Sequence, residues 1–211
     1  MKKPNINLLA VIVAVPVIGM TIIAPALTII KNDLNISFEN TQLILTLYFT
    51  FLAFGQILSG PFSDKYGRKP ILILGASIYS ISAFFASLSS NIEILLILRC
   101  FQGFGAAACL SVGRTILSDC YEIKEAAKEM SKMTAIMAVI PISCFIFGGF
   151  LAEFLGWRTN LLALGLISLI LIIAMSFLLN ETLIKKAKSI SFKNMFIVYI
   201  GLLKNPSFNF F

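Results

Sequence analysis

The sequence predicts an all-α membrane protein, a six-transmembrane-helix bundle. Three observations predict it. Hydrophobic residues make up 58% of the 211-residue chain and charged residues only 13%, against roughly 25% charged in soluble domains. The apolar residues gather into long runs, and about 20 residues at 1.5 Å each cross a hydrocarbon core of ~30 Å. The basic residues lie mostly on one side of those runs, the bias that orients membrane helices.

The spans follow in order. Span 1, residues 7–30, comes after Lys2 and Lys3. No small-residue cleavage site closes it, so it reads as a retained helix rather than a signal peptide. "KNDLNISFEN" leads to span 2, residues 41–62, and "SDKYGRKP" to span 3, residues 71–89. Pro70 suits a first helical turn. "SSN" precedes span 4, residues 92–113. The long link "RTILSDCYEIKEAAKEMSK" precedes span 5, residues 132–154, and "LGWRTN" leads to span 6, residues 158–180. The Lys/Glu-rich part of the long link reads as a solvated helix end whose like-charged pairs, Glu125/Glu129 and Lys124/Lys128, gain little. Continuous apolar runs fit helices and not the alternating strands of a barrel.

With the N-terminus in the cytoplasm, the outer links hold only Lys31 and Arg158, and Arg99 alone falls within a span. Every other basic residue lies inside. The net charge of +7 is therefore positive-inside bias and not a nucleic-acid footprint. "SDKYGRKP" becomes a cytoplasmic turn. The four cysteines, Cys100, Cys109, Cys120 and Cys144, lack C-x-x-C spacing, and the chain has no histidine. No metal or cofactor is expected. No nucleophile–base constellation appears, so an enzyme is not expected either.

The stretch "GPFSDKYGRKPI" carries more than a turn requires. Gly60 suits close approach to a neighbouring helix, Gly67 a positive φ, and Asp64 a cap on orphan amides at a helix start. The pattern closely resembles the loop 2–3 signature of the major facilitator superfamily, G-x-x-x-D-x-x-G-R-[KR]. "LRCFQGFGAA" at 98–107 is similar to the superfamily's helix 4 motif, and "AVIPISCFIFGGFLAEFLGWR" resembles the helix 5 motif of drug:proton antiporters. With "APAL" in span 1, "GQILSGPFSD" in span 2 and "NETL" after span 6, the chain is most like the bicyclomycin/multidrug-resistance branch.

The resemblance implies half of a twelve-helix facilitator fold, built from two inverted three-helix repeats. The chain carries an internal echo of that plan. Gly60, Asp64, Gly67 and Arg68 recur as Gly149, Glu153, Gly156 and Arg158, at an offset of 89 up to the arginine. The resemblance further implies a transporter in the plasma (inner) membrane, multi-pass, with the N-terminus and central loop cytoplasmic. Residues 1–181 would form the bundle. Residues 182–205 would form a basic central loop in which "SFKNMFIVYIGLLKN" reads as an amphipathic interfacial helix. Residues 206–211 would be the stump of helix 7, the chain being truncated to an N-terminal half.

Candidate residues follow. The resemblance implies that Asp64, Arg68, Lys69, Arg114 and Asp119, with Gly60 and Gly67, form a cytoplasmic gating network. Arg99 lies about 12 Å from the outer end of span 4, where a charge costs at least ~2.5 kcal/mol and faces the bundle interior or a cavity. Snorkelling to the outer interface is the alternative. Gln102, Gly103 and Ala106 share its face. Thr21, Gln42 and Gln56 are candidates to line a substrate path or to bond between helices. Pro141, Gly148 and Gly149 suggest a bend and close packing in span 5, which drug antiporters use as a seal or hinge.

Two departures from the branch matter. An acid frequent in span 1 falls here at Thr21, and no Asp or Glu lies deep in any span. Cys144 and Phe145 stand where the span 5 motif has Gly-Pro. The expected function is proton-coupled export of small amphipathic compounds, with a separate C-terminal six-helix half or a second copy as partner and the lipid bilayer as solvent. An inactive fragment of an interrupted gene, or a small membrane scaffold, are the alternatives.

Overall fold

Polar residues placed before apolar runs start the helices. Asn5 accepts from the amides of Asn7 and Leu8, Ser37 from that of Asn40, and Asn91 from that of Ile94. Each satisfies amides that a helix start leaves orphaned. The computed structural model describes residues 4–183. The helices are α1 (Ile6–Thr21), α2 (Leu27–Asp33), α3 (Phe38–Tyr66), α4 (Arg68–Ser87), α5 (Ile92–Cys120), α6 (Ile123–Leu155) and α7 (Trp157–Leu178), with a 3₁₀ turn at Ala24–Ala26. Taking α1 to α2 as one span, six are long and apolar enough to cross a membrane. The expected all-α six-helix architecture is present. The expected central loop beyond residue 183 and the expected helix 7 stump lie outside the described residues.

Three boundaries differ from expectation, each for a local reason. Span 1 is not one helix, because Pro25 lacks an N–H and its ring clashes with the preceding turn. Ala26 then donates to Ile23 instead of Ile22. The inner turn between spans 2 and 3 shrinks to Gly67, since α3 runs through Gly60 and Pro61 to Tyr66. The long link before span 5 is almost wholly helical: α5 reaches Cys120 and α6 begins at Ile123. Its Lys, Glu and Ala are good helix formers. The link also makes an opposite-charge pair, Lys132 to Glu129 at 2.8 Å, beside the like-charged pairs. With 33 residues, α6 is about 50 Å long at 1.5 Å per residue and outreaches the ~30 Å core.

Packing is set by small residues. α5 sits centrally against α3, α4 and α1. A Cβ at Gly103 would strike the carbonyl of Tyr48, and one at Gly105 that of Gly75, so backbones meet directly, as membrane helices require where no hydrophobic drive pulls them together. α1 is apolar around its circumference and mostly buried. α4 and α7 are tied by a reciprocal pair: Ser80 donates to Gly165 at 2.8 Å and Ser168 to Ala76 at 2.9 Å. α3 and α6 leave aromatic faces open, with Phe54, Phe145 and Phe150 exposed.

Candidate functional site

At the inner end, Gly67 takes φ +115°, a region that glycine enters without steric cost. The turn sets Arg68 as the first residue of α4. Its Nη1 donates to Asp64 and to Ser63, both at 2.6 Å, and its Nε donates to Asp119 at 3.0 Å. One buried guanidinium therefore ties together the ends of α3, α4 and α5. Lys69 Nζ donates to the Ser176 carbonyl of α7 at 2.7 Å.

The predicted network assembles only in part. Arg114 is exposed and forms no ion pair among the described residues. Gly60 has open space where a Cβ would stand, so it does not serve close approach in this bundle. Asp64 faces Arg68 and does not cap the start of α4. That role falls to Glu181, whose carboxylate accepts from the amides of Arg68 at 3.0 Å and Lys69 at 3.3 Å. It also accepts from Thr182 and Leu183. Partial burial raises the Glu181 carboxyl, but the four amides outweigh it and hold its pKa below the ordinary glutamate value. A Cβ at Gly67 would strike this carboxylate.

Arg99 is fully buried and neither snorkels nor faces an open cavity. It donates to Gln102 Oε1 at 2.6 Å, to the Gly19 carbonyl at 3.2 Å and to the Ile44 carbonyl at 3.4 Å. The guanidinium lies over the Tyr48 ring at 4.3 Å, and Tyr48 donates to the Pro16 carbonyl at 3.0 Å. The cation is thus held by dipoles and a π face, and no carboxylate bonds it among the described residues. Gln102 spends its oxygen on Arg99, leaving Nε2 unpartnered among the described residues.

The break in span 1 sits in a seam with α6 and α7. Its freed Ile22 carbonyl accepts from Asn160 Nδ2 at 2.8 Å, and the same amide donates to the Gly148 carbonyl at 3.0 Å. A Cβ at Gly148 would strike the Ile22 carbonyl, whereas one at Gly149 would meet only Pro25 at 3.7 Å. α6 is helical through Pro141, and the span that breaks is span 1, at Pro25. Thr21 is buried nearby and its hydroxyl donates to Val17 at 2.8 Å.

At the outer end, Gly156 takes φ +85° and starts α7 at Trp157. Arg158 donates to Asp33 at 2.8 Å and to the Ser89 carbonyl at 3.1 Å, and Trp157 Nε1 donates to Asp33 at 3.0 Å. The two ends match. Arg68 opens span 3 and bonds the acid closing span 4; Arg158 opens span 6 and bonds the acid closing span 1. Gly67 and Gly156 are the positive-φ glycines among the described residues, and the echo read from the sequence places them at corresponding positions.

Gln42 is exposed and borders a pocket of about 440 Å³ between α2 and α3. Gln56 is half-buried on α3 and takes no part in the Arg99 cluster. Sequence reasoning missed Asn160, Glu181 and Asp33 as site residues. Each is a lone polar residue in a link or helix start, and only the partner it reaches reveals its role.

A family model described as Major Facilitator Superfamily matches residues 9–208. The chain belongs to that superfamily. It is 30% identical to a bicyclomycin resistance protein homolog of Haemophilus influenzae, over 82% of this chain and 44% of that one. It is 33% identical to a chloramphenicol resistance protein of Pseudomonas aeruginosa, over 71% and 36%. The fold matches a bacterial homolog of the human lysosomal transporter Spinster, solved inward-facing and unoccupied. The TM-score is 0.76 and the identity 19%, over 96% of this chain and 49% of the other. The chain spans less than half the length of the relatives it matches.

Proposed function

We propose that the chain forms the N-terminal six-helix bundle of an efflux transporter for small amphipathic compounds, working by alternating access in the plasma membrane. The N-terminus and the loop after α7 lie in the cytoplasm. The single observation that carries the reading is the Arg68 cluster. A buried cation joins three helix ends at one face, and an arrangement of this kind holds one end of a bundle in a defined state.

Proton antiport is the coupling, with the proton-carrying carboxylate supplied by a separate six-helix half or a second copy. One fact supports an outside carboxylate: no Asp or Glu lies deep in the six spans. Arg99 with Gln102 fixes α5 against α1 and α3, and the Ile22–Gly148 seam joins a broken span to α6. Thr21, Gln42 and Gln56 lie on or beside these helices as lining candidates.

The test is efflux of a fluorescent amphipathic dye from cells expressing the chain alone and with a six-helix C-terminal half. Energised efflux in either strain, abolished by Arg68→Ala, is the expected result. Absence of efflux in both strains overturns the transport reading.

A further inference from the structure

We propose that α2 is a hinged strap across the outer end of the bundle, held shut by Asp33 and released when that carboxylate leaves Trp157 and Arg158. Its use as an outer gate rests on the transport reading; the latch itself is measured without transport.

Both ends of α2 are backbone irregularities. Before it stands the 3₁₀ turn at Ala24–Ala26, where Pro25 interrupts the helical hydrogen bonds. A Cβ at Gly149 would meet Pro25 only at 3.7 Å, so α6 leaves room beside the turn. After α2 stands Asn35 at φ +50°, the left-handed conformation that asparagine enters as a single residue. Between these two points α2 has seven residues and buries Ile30 alone. A helix that short has little stability of its own, so its contacts hold it.

Its polar contacts with α7 converge on one carboxylate. Asp33 Oδ2 accepts from Trp157 Nε1 at 3.0 Å and from Arg158 Nη1 at 2.8 Å. The other side of the break is pinned separately, by the buried bond from Asn160 to the Ile22 carbonyl. The first turn of α7 therefore grips span 1 on both sides of Pro25, once in the core and once at the surface. The two ends of the bundle differ in the same sense. The Arg68 side chain is 8% exposed and bonds two carboxylates, whereas those of Arg158 and Asp33 are 43% and 45% exposed. An exposed pair is screened by salt and holds weakly. The inner cluster is built to stay and the outer one to yield.

Trp157 is the single tryptophan of the chain and is 2% exposed, so its fluorescence reports the latch without a label. The test uses the full chain in lipid vesicles, with acrylamide on both sides as quencher. Asp33→Ala is expected to raise the quenching constant about ten-fold, the effect of one charged hydrogen bond on the latched fraction. Asp33→Asn should fall between Asp33→Ala and the unaltered chain. Sodium chloride at about 1 M, where the Debye length is about 3 Å, should raise quenching in the unaltered chain and not in Asp33→Ala. Deuterium exchange in Asp33→Ala should rise in the peptide holding Leu27–Asn35 and stay level in α1 and α7. Quenching indifferent to Asp33 or to salt overturns the latch. Exchange that rises in α1 and α7 as well is general loosening and overturns the strap. None of those outcomes touches the efflux test, so failure of the strap and failure of transport are told apart.

Discussion

Asn160 donates to the Ile22 carbonyl at 2.8 Å, across 138 positions of sequence. The bond repairs what Pro25 breaks. A buried carbonyl without a partner costs about 1–3 kcal/mol, and Asn160 also serves Gly148. Asn160→Leu should therefore lower the thermal unfolding midpoint of the purified protein. Gly148→Ala should destabilise it as well, because its Cβ would strike the Ile22 carbonyl, and Gly149→Ala should not. Equal midpoints for the two alanine variants would remove the seam from the account.

The two junction glycines separate backbone strain from crowding. Both have positive φ. Only Gly67 also faces a neighbour, the Glu181 carboxylate, while Gly156 faces open space. Alanine at either site should cost about 1–3 kcal/mol for backbone strain, with Gly67→Ala the more severe. Paired unfolding curves check the order.

Glu181 makes a pH prediction whose sign follows from its surroundings. Its folded pKa lies below the unfolded value, which is about 4.3. Its stabilisation is then fully present above that value and is lost as pH falls through the folded pKa. Glu181→Gln should lower stability at neutral pH by about 0.5–2 kcal/mol, as loss of a helix cap does. It should also flatten the loss of stability on acidification. Unfolding midpoints from pH 7 down to pH 3 test both.

Arg99→Lys should not rescue Arg99→Ala. The guanidinium reaches three acceptors and a ring face at once, a planar fork that one ammonium cannot reproduce. Efflux with a six-helix C-terminal half, measured beside membrane abundance, separates lost function from lost folding.

Much of the fold was legible because membrane physics is crude: long apolar runs, breakers and one-sided cations. The Gly67 and Gly156 junctions were legible too, since positive φ selects glycine by a local rule. The break at Pro25 was overlooked although proline announces it, because the apolar run continues on both sides. Glu181 and Asn160 stayed hidden for a different reason. Their partners lie 113 and 138 positions away, and no periodicity reports a distance of that kind. Arg99 was found by its cost, but its enclosure depends on Gly19, Ile44 and Tyr48, which resemble any packing residues.

The paired clusters at the two ends carry a consequence for biosynthesis. Arg68 and Asp33 emerge early from the ribosome, yet the outer pair waits for Arg158 and the cap on α4 waits for Glu181. The inner cluster of Arg68 with Asp64 and Asp119 can form once the fourth span is made, but the outer pair and the cap on α4 both need residues at or beyond the sixth span. Until then Asp33 lacks Arg158 and the start of α4 lacks the carboxylate of Glu181, so both junctions are exposed while the first five spans are already in the membrane.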